Sequence, residues 1–326
     1  MQILTGDIGG SNSRLAVIDY TDGRLEMLCA HTFPSPEHAS LVEIVTAFLA
    51  AWPDARPEAA AFGVAGPVVN GVCQLTNLPW VVSAALVAEH LKLPRTYVLN
   101  DLEALAWGID TLRPEQIATL QRGDEQACGN RAVIAAGTGL GQAGAYFDGR
   151  SHLPFATEGG HADFAPVTER EWRLQGFLQQ KAGHVSWERV VSGPGLVDLF
   201  EFLLQDTGSA EPEWLADRDE DGAAVISQLA LDGRDPLCVE ALEWFVSLYG
   251  AEAGNLALKM NARGGLYLGG GIAPKILPAL ERGSFMESFL DKGRMRAVVE
   301  AMPVRVILNP AITLQGLARF GALAAA

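Results

Sequence analysis

The chain has 326 residues, of which 49% are hydrophobic, and its 24 basic and 39 acidic side chains give a formal net charge of −15. This apolar content excludes an intrinsically disordered chain, and the length suits two domains. The negative charge, without any run of basic residues, argues against a protein that binds duplex nucleic acid or an anionic membrane.

The N-terminal segment is predicted to form an antiparallel meander. Its strands are expected at residues 3–5, 14–18 and 25–29. A glycine-rich turn over residues 6–12 joins the first two strands. Apolar residues at helical spacing then predict a helix over residues 41–52, which ends at Pro53.

Strands and helices alternate in the next segment. The expected elements are a strand at 59–69, a helix at 84–91, a strand at 97–99 and a helix at 102–109. Asn70-Gly71 is the strongest hairpin signal in the chain. Ser83 is expected to cap the first of these helices. The last strand ends at Asn100-Asp101, where the last helix starts.

A second cycle of similar elements begins near residue 131. Strands are predicted at 132–136 and 143–147, with a glycine turn at 137–141 between them. The pattern Y-x-D-G-R occurs at residues 20–24 and 146–150, each time one strand after a glycine turn. A five-residue match can arise by chance, but the shared order of elements favours an internal duplication.

The remainder of the chain is predicted to be mostly helical. Helices are expected at 168–181, 194–205, 223–231 and 236–260, strands at 266–268 and 304–308, and a final helix from Pro310. This order predicts two α/β halves that face each other across a cleft.

Three glycine turns directly follow predicted strands, at Asp7–Asn12, Gly137–Gly141 and Gly269–Gly271. Each could be an ordinary tight turn, or its successive N–H groups could bind phosphate. The first turn also carries Asp7, and an acid inside an anion site indicates a cation between the two. Mg²⁺ bridges carboxylate and phosphate in this way, whereas the plainer alternative is that Asp7 caps its own turn.

Residues 139–144 match the dinucleotide fingerprint G-x-G-x-x-G. That fingerprint must open a helix, but here a predicted strand and a hairpin turn follow. The sequence therefore excludes a Rossmann dinucleotide site. It also lacks the G-K-[ST] of a Walker loop.

Several polar residues lie where they would not contribute to a hydrophobic core. Asn100-Asp101 lies where a strand meets a helix. The positive end of that helix favours an ionised Asp101 that accepts a proton, and the equally weighted alternative is that Asp101 only caps the helix. Residues 158–163 place two acids and a histidine around two glycines; no further ligand at suitable spacing supports a metal cage. Glu188 by itself is typical of a solvated helix. Together these groups suit phosphoryl transfer to a sugar hydroxyl.

Six sequence motifs are distributed over nearly the whole chain. They are residues 6–14 (GDIGGSNSR), 99–101 (LND), 136–141 (AGTGLG), 158–166 (EGGHADFAP), 192–196 (SGPGL) and 269–275 (GGGIAPK). As an ordered set they resemble the bacterial glucokinase family. Ser11 departs from the Thr that is common there, but it retains the hydroxyl. Residues 162–180 contain no cysteine, so the structural zinc of related repressor-type sugar kinases is not expected.

The resemblance implies a fold similar to the hexokinase/actin superfamily, with two ribonuclease H-like α/β domains whose mixed sheets surround a central cleft. The expected domains are residues 1–110 plus 311–326, and residues 111–310. The implied reaction is the ATP-dependent phosphorylation of D-glucose at its 6-hydroxyl. The implied partners are glucose and ATP, with no nucleic acid and no membrane, and the implied assembly is a homodimer.

The resemblance also assigns roles to residues. Asp101 matches the catalytic base, and the sugar-binding residues are Asn100, Glu158, His161 and Glu188. The ATP-binding residues are Asp7, Gly9, Gly10, Ser11, Asn12, Gly137, Thr138, Gly139, Gly270 and Gly271, and Asp7 would hold Mg²⁺ through water.

Three alternatives remain beside this assignment. A kinase of mannose, fructose or an N-acetylhexosamine could use the same sugar-binding residues. A chaperone or filament protein of the same superfamily has no reason to carry Glu158, His161 and Glu188 together. A sugar-sensing repressor needs a DNA-binding module, yet the first strand begins at residue 3. With neither a basic, apolar leader nor an apolar run of membrane length, a cytoplasmic protein is expected.

Overall fold

The structure, a computed structural model, describes residues 1–75, 77–216 and 222–325. The chain groups into two compact units. The first unit contains Met1–Gln116, Leu153–Ala156 and Asn309–Ala326, and the second contains Ile117–His152 and Thr157–Leu308. The domain boundaries expected from the sequence stay predictions, and residue 326 lies outside the described part of the chain.

The first unit is built on a five-stranded mixed sheet. Its strands and helices are β1 (Gln2–Ile8), β2 (Asn12–Thr21), β3 (Arg24–Pro34), α1 (Leu41–Ala51), β4 (Ala59–Val64), β5 (Val72–Gln74), β6 (Val81–Ser83), α2 (Ala84–Leu91), β7 (Thr96–Asn100), α3 (Asp101–Gly108) and α13 (Ile312–Ala325). The sheet order is β3-β2-β1-β4-β7, and β5 pairs with β6 in a separate ribbon. Because β1, β2 and β3 pair antiparallel, the predicted meander is confirmed.

Local signals define the ends of several elements in this unit. The Ser40 and Ser83 hydroxyls accept hydrogen bonds from N–H groups in the first turns of α1 and α2. The predicted hairpin is confirmed, since Asn70 and Gly71 have φ of 51° and 73° between bridged valines. The strand expected to reach residue 69 ends at Val64 because a Gly-Pro step, with Gly66 at φ 140°, interrupts it.

The second unit is built on a six-stranded mixed sheet with helices packed against it. Its elements are β8 (Ile117–Gln121), β9 (Arg131–Ala136), β10 (Leu140–Phe147), α4 (Glu169–Ala182), α5 (Gly193–Thr207), α6 (Glu213–Ala216), α7 (Gly222–Leu231), α8 (Pro236–Met260), β12 (Gly265–Gly269), α9 (Ile272–Lys275), α10 (Leu277–Leu280), α11 (Ser284–Leu290), α12 (Arg296–Glu300) and β13 (Val304–Ile307). The sheet also includes β11 (His152–Thr157), whose residues Leu153–Ala156 are grouped with the first unit. The sheet order is β11-β10-β9-β12-β13-β8. Helix α8 supplies much of the core, including fully buried Phe245 and Tyr249. Short 3-10 turns at Gly159–His161 and Trp187–Arg189 join these elements.

The two sheets repeat one pattern of pairing. In the first, β1 pairs antiparallel with β2 and parallel with β4, which pairs parallel with β7. In the second, β9 pairs antiparallel with β10 and parallel with β12, which pairs parallel with β13. The repeated topology agrees with the predicted internal duplication, and the mixed sheets confirm the predicted α/β class. Across the described ranges, no helix is both long and apolar enough to cross a membrane.

Candidate functional site

Asp7 lies within strand β1 and not in the glycine turn in which the sequence placed it. Gly6, Asp7 and Ile8 continue the strand because both β2 and β4 pair with them, and Asp7 stands opposite Arg14 of β2. Burial raises the pKa of Asp7 to about 6, although the positive charge of Arg14 acts to lower it. The first glycine loop is therefore shorter than predicted and begins at Gly9.

Backbone and hydroxyl hydrogen bonds hold this first loop, residues 9–12, in shape. The Gly9 N–H donates to the Asn12 carbonyl at 3.0 Å. Ser35 contributes twice, because its N–H donates to the Ser11 carbonyl at 2.9 Å and its hydroxyl donates to the Gly9 carbonyl at 2.8 Å. The side chains of Ser11 and Asn12 stay exposed and offer donors to a ligand.

Asn100, and not Asp101, caps helix α3. Its Oδ1 accepts the N–H groups of Leu102 at 2.9 Å and Glu103 at 3.3 Å, while its Nδ2 donates to the Gly66 carbonyl at 3.2 Å. Asp101 is the first residue of the helix, and its half-buried carboxylate accepts the Leu102 N–H at 2.9 Å. The capping alternative considered for this pair therefore belongs to Asn100.

The first loop and the Asn100-Asp101 pair lie at the same edge of one sheet. Strands β1, β4 and β7 are neighbours and run parallel, so their carboxyl ends meet there. Two strand spacings separate β1 from β7, which is about 10 Å. Gly63 of β4 lies between them, and a Cβ atom built on it would lie 3.5 Å from the Asp101 Cα.

Glu158, His161 and Glu188 come together in the second unit. His161 Nε2 lies 4.0 Å from Glu158 Oε2, and His161 Nδ1 lies 3.9 Å from Glu188 Oε1. Both separations exceed hydrogen-bond length, so the facing groups can still bond to a ligand. Glu188 is half-buried in a 3-10 turn, and the prediction of a solvated helix residue is wrong for it.

The second glycine loop, Gly137–Gly139, is attached to this cluster. The Gly137 N–H donates to the Gly139 carbonyl at 2.8 Å, and the Gly137 carbonyl accepts the Gly193 N–H at 2.8 Å. The N–H of Leu140, the next residue, donates to Glu188 Oε2 at 2.9 Å. A Cβ atom on Gly139 would lie 2.5 Å from the same oxygen, so a larger residue there would displace the Glu188 carboxylate.

The third glycine turn lies beside the second. Gly269 pairs with Ala135 across the parallel strands β12 and β9, so both turns leave the sheet at one edge. Gly270 has φ 78°, and a Cβ atom on it would lie 2.5 Å from the Ala136 carbonyl. This close approach requires glycine. Gly271 is exposed and precedes the short helix α9.

Comparison with known proteins agrees with these features. The family model described as Glucokinase matches residues 4–324. A glucokinase of Synechocystis sp. is 41% identical over 344 residues, covering 98% of this chain and 97% of that protein. The chain belongs to the glucokinase family.

Solved structures place the fold in the same family. The crystal structure of glucokinase from an Antarctic psychrotroph is 34% identical, with a TM-score of 0.85 and coverage of 99% of both chains. A ROK family glucokinase from Streptomyces griseus, in complex with glucose and AMPPNP, has a TM-score of 0.69 at 23% identity and covers 99% of this chain and 100% of that one. The fold is therefore the actin-like α/β fold that the motifs predicted.

Within this glucokinase-family chain, the Asp7 carboxylate fits a magnesium ion that is held largely by phosphate and water. Asp7 is half-buried, and a carboxylate oxygen is the ligand type that Mg²⁺ prefers. In residues 1–75, 77–216 and 222–325, no group of three or more His, Cys, Asp or Glu side chains could hold a metal ion by itself. Such an ion would therefore depend on the nucleotide for most of its ligands.

The structure thus gathers the predicted residues into two sets, one in each unit. Asp7, residues 9–12, Asn100 and Asp101 share one sheet edge, and the remaining residues share another. Sequence reasoning missed Ser35, a buried serine that braces the first loop, and Gln142, a buried polar residue on β10. A polar residue inside an apolar strand was the available signal for Gln142, whereas Ser35 had none.

Proposed function

We propose that this protein transfers the γ-phosphoryl group of ATP to the 6-hydroxyl of D-glucose, which yields glucose 6-phosphate and ADP. One observation carries the proposal. In this glucokinase-family chain the His161 ring lies within 4.0 Å of the carboxylates of both Glu158 and Glu188, although Glu188 is distant in sequence. Three polar side chains with free edges suit a polyol. The ROK family glucokinase of known structure was solved with glucose and AMPPNP.

Sugar recognition is assigned to the hydroxyl-binding side chains of Asn100, Glu158, His161 and Glu188. Glu158 and Glu188 accept hydrogen bonds from hydroxyls, and His161 donates or accepts at its ring nitrogens. Asn100 is 6% exposed, and its amide already caps α3 and bonds to Gly66, so its position is firmly defined. A rigid amide is well suited to hold one hydroxyl beside the adjacent Asp101.

Asp101 is assigned the role of general base. Its carboxylate takes the proton of the 6-hydroxyl as that oxygen bonds to the γ-phosphorus. The bond from the γ-phosphorus to the bridging oxygen breaks, and its electron pair leaves with ADP. Because phosphoryl transfer depends mainly on positioning and charge, the base contributes only part of the rate.

ATP binding is assigned to the glycine loops. The N–H groups of Gly9 and Gly10, the side chains of Ser11 and Asn12, and the loop Gly137–Gly139 with the exposed Thr138 hydroxyl would contact phosphates. Gly270 and Gly271 would contact adenosine. Mg²⁺, held by Asp7 through water, would supply positive charge at the β- and γ-phosphate oxygens.

A sugar panel tests this proposal. ADP release is measured with MgATP and glucose, mannose, fructose, N-acetylglucosamine or no sugar. We expect the highest kcat/KM with glucose and no release without sugar. A higher value for another hexose would transfer the assignment to that sugar, and sugar-independent release would contradict a hexose kinase.

Assembly as a homodimer and location in the cytoplasm stay predictions, and sedimentation velocity tests the first.

A further inference from the structure

A fully buried polar pair lies beside the sugar-binding cluster. Gln142 of β10 is 1% exposed and Glu252 of α8 is 0% exposed. The Gln142 Nε2 donates a hydrogen bond to Glu252 Oε1 at 2.8 Å. A carboxylate in a protein core costs free energy that an apolar residue of similar volume avoids. Neither residue has a role in the reaction described above.

Neighbouring groups hold the Glu252 carboxylate in one orientation. The Asn255 Nδ2 donates to Glu252 Oε2 at 3.1 Å, and Lys259 Nζ lies 3.9 Å from Oε1. Burial raises the pKa of Glu252, while Gln142, Lys259, Asn255 and Lys292 act to lower it. Both carboxylate oxygens of Glu252 accept amide hydrogen bonds, so Gln142 points its NH₂ toward α8 and its Oε1 the other way.

That oxygen of Gln142 lies against the turn that carries two sugar-binding residues. A Cβ atom built on Gly159 would lie 2.1 Å from Gln142 Oε1. Gly159 begins the 3-10 turn Gly159–His161, directly after Glu158. The backbone of Gln142 also supports this turn, because the Gln142 carbonyl accepts a hydrogen bond from the Thr157 hydroxyl at 3.0 Å. The Thr157 Oγ1 in turn accepts the Gly159 N–H at 3.3 Å.

We propose that Gln142, oriented by Glu252, is a positioning residue that sets Glu158 and His161 for binding glucose. Strand β10 then serves the whole cluster, since the Leu140 N–H bonds to Glu188 and the side chain of Gln142, two residues further along, supports the 158–161 turn. The two acceptor oxygens of Glu252 select the orientation of the amide. This inference rests on the proposed function and concerns the affinity for sugar, not the transfer step.

A double-mutant cycle between Gln142 and Gly159 tests the contact directly. Gly159→Ala places a methyl group against Gln142 Oε1, so we expect the glucose KM to rise about tenfold or more, with the ATP KM within about twofold. Gln142→Ala removes the obstructing oxygen. In that background Gly159→Ala is expected to raise the glucose KM less than about threefold. Equal effects of Gly159→Ala in both backgrounds would overturn the proposal.

Glu252→Gln tests the acceptor role of Glu252 with a conservative change that keeps the volume. An amide at residue 252 can donate as well as accept, so the Gln142 amide loses its fixed orientation. We expect the glucose KM to rise about threefold or more while kcat stays within about twofold. Gln121→Ala is the matched control, because Gln121 belongs to β8 of the same sheet but bonds to the backbone carbonyls of Val299 and Met302. It is expected to keep both KM values.

Calorimetric titration of the wild type and each variant with glucose in the absence of ATP distinguishes a failure of this inference from a failure of the proposed function. Wild-type protein that neither binds nor phosphorylates glucose would contradict the proposed function itself. If the wild type is active and the Glu252→Gln variant keeps the wild-type affinity for glucose, the role proposed for Glu252 is wrong. If Gln142→Ala is insoluble, the glucose affinity and the KM-against-kcat comparison of Glu252→Gln decide the inference.

Discussion

The backbone N–H of Leu140 donates to Glu188 Oε2 at 2.9 Å, while the other oxygen of that carboxylate lies 3.9 Å from His161 Nδ1. Leu140 directly follows the glycine loop Gly137–Gly139. One half-buried side chain therefore contacts both the loop assigned to phosphate and the cluster assigned to sugar. The two oxygens of Glu188 have separate tasks, and substitutions can remove them separately.

Glu188→Gln and Glu188→Ala are expected to differ in their effect on ATP. The amide oxygen of glutamine can still accept the Leu140 N–H, so only the charge beside His161 is lost. The glucose KM should then rise about tenfold and the ATP KM less than about twofold. Alanine also frees the loop, so both KM values should rise. Steady-state kinetics with each substrate varied tests this, with Glu201→Gln on the outer helix α5 as control. An ATP KM equally affected by glutamine and alanine contradicts the bridging role.

Gly270→Ala and Gly271→Ala form a matched pair in the third glycine turn. Gly270 has φ 78° and faces the Ala136 carbonyl, so alanine should lower the free energy of unfolding by about 1–3 kcal/mol. Gly271 has φ −80°, and apart from Gly271 itself and its two chain neighbours no atom of the described residues lies within 4 Å of a Cβ atom built there. Gly271→Ala should therefore keep the Tm and raise the ATP KM several-fold. Thermal melts and ATP kinetics separate the two effects, and an unchanged ATP KM would remove Gly271 from the nucleotide site.

Asp7→Asn is expected to stabilise the protein at pH 8 when no nucleotide is bound. The folded carboxyl has a pKa of about 6 against an ordinary value of 3.8, so the folded state binds this proton more tightly. The free energy of unfolding therefore falls as the pH rises from about 4 to about 6 and stays lower above that range. Asparagine avoids this cost, which is about 1–3 kcal/mol at pH 8 and close to zero at pH 4.

Denaturant unfolding of wild type and Asp7→Asn at pH 4 and pH 8 measures this difference. Asp22→Asn, on the exposed β2–β3 turn, is the control and should show no pH-dependent change. MgATP should stabilise the wild type more than Asp7→Asn at pH 8, because the ionised carboxylate supports the metal. A stability difference that is the same at both pH values contradicts the account of Asp7.

Where local signals are strong, the sequence predicted both the first and the last residue of an element. Helix α8 was expected at residues 236–260 and is found at Pro236–Met260. Asp235 caps it, a proline occupies its first turn, and Asn261 ends it in the left-handed region at φ 47°. Strand β1 shows the opposite case, since Gly6 and Asp7 are typical turn residues yet pair with strands on both sides. Pairing between distant segments overrides local propensity there.

The motifs identified the candidate site residues, but not the contacts that support them. Glu188 was interpreted as a solvated residue because its partner Leu140 lies 48 residues away in the sequence. Ser35 had no signal in the sequence, and Gln142 had only that of a polar residue inside an apolar strand, since the contacts of both form only after folding. The family resemblance supplied residue identities, whereas the hydrogen-bond network required the fold.

The proposed reaction depends on Asp101 as the general base, and comparison of turnover with glucose binding in Asp101→Asn tests this role. We expect kcat to fall about 10²–10⁴-fold while the calorimetric affinity for glucose stays within about threefold of the wild type. Asp22→Asn should match the wild type in both measurements. Wild-type turnover in Asp101→Asn, or loss of glucose binding large enough to explain the loss of activity, would contradict a carboxylate that takes the proton of the 6-hydroxyl.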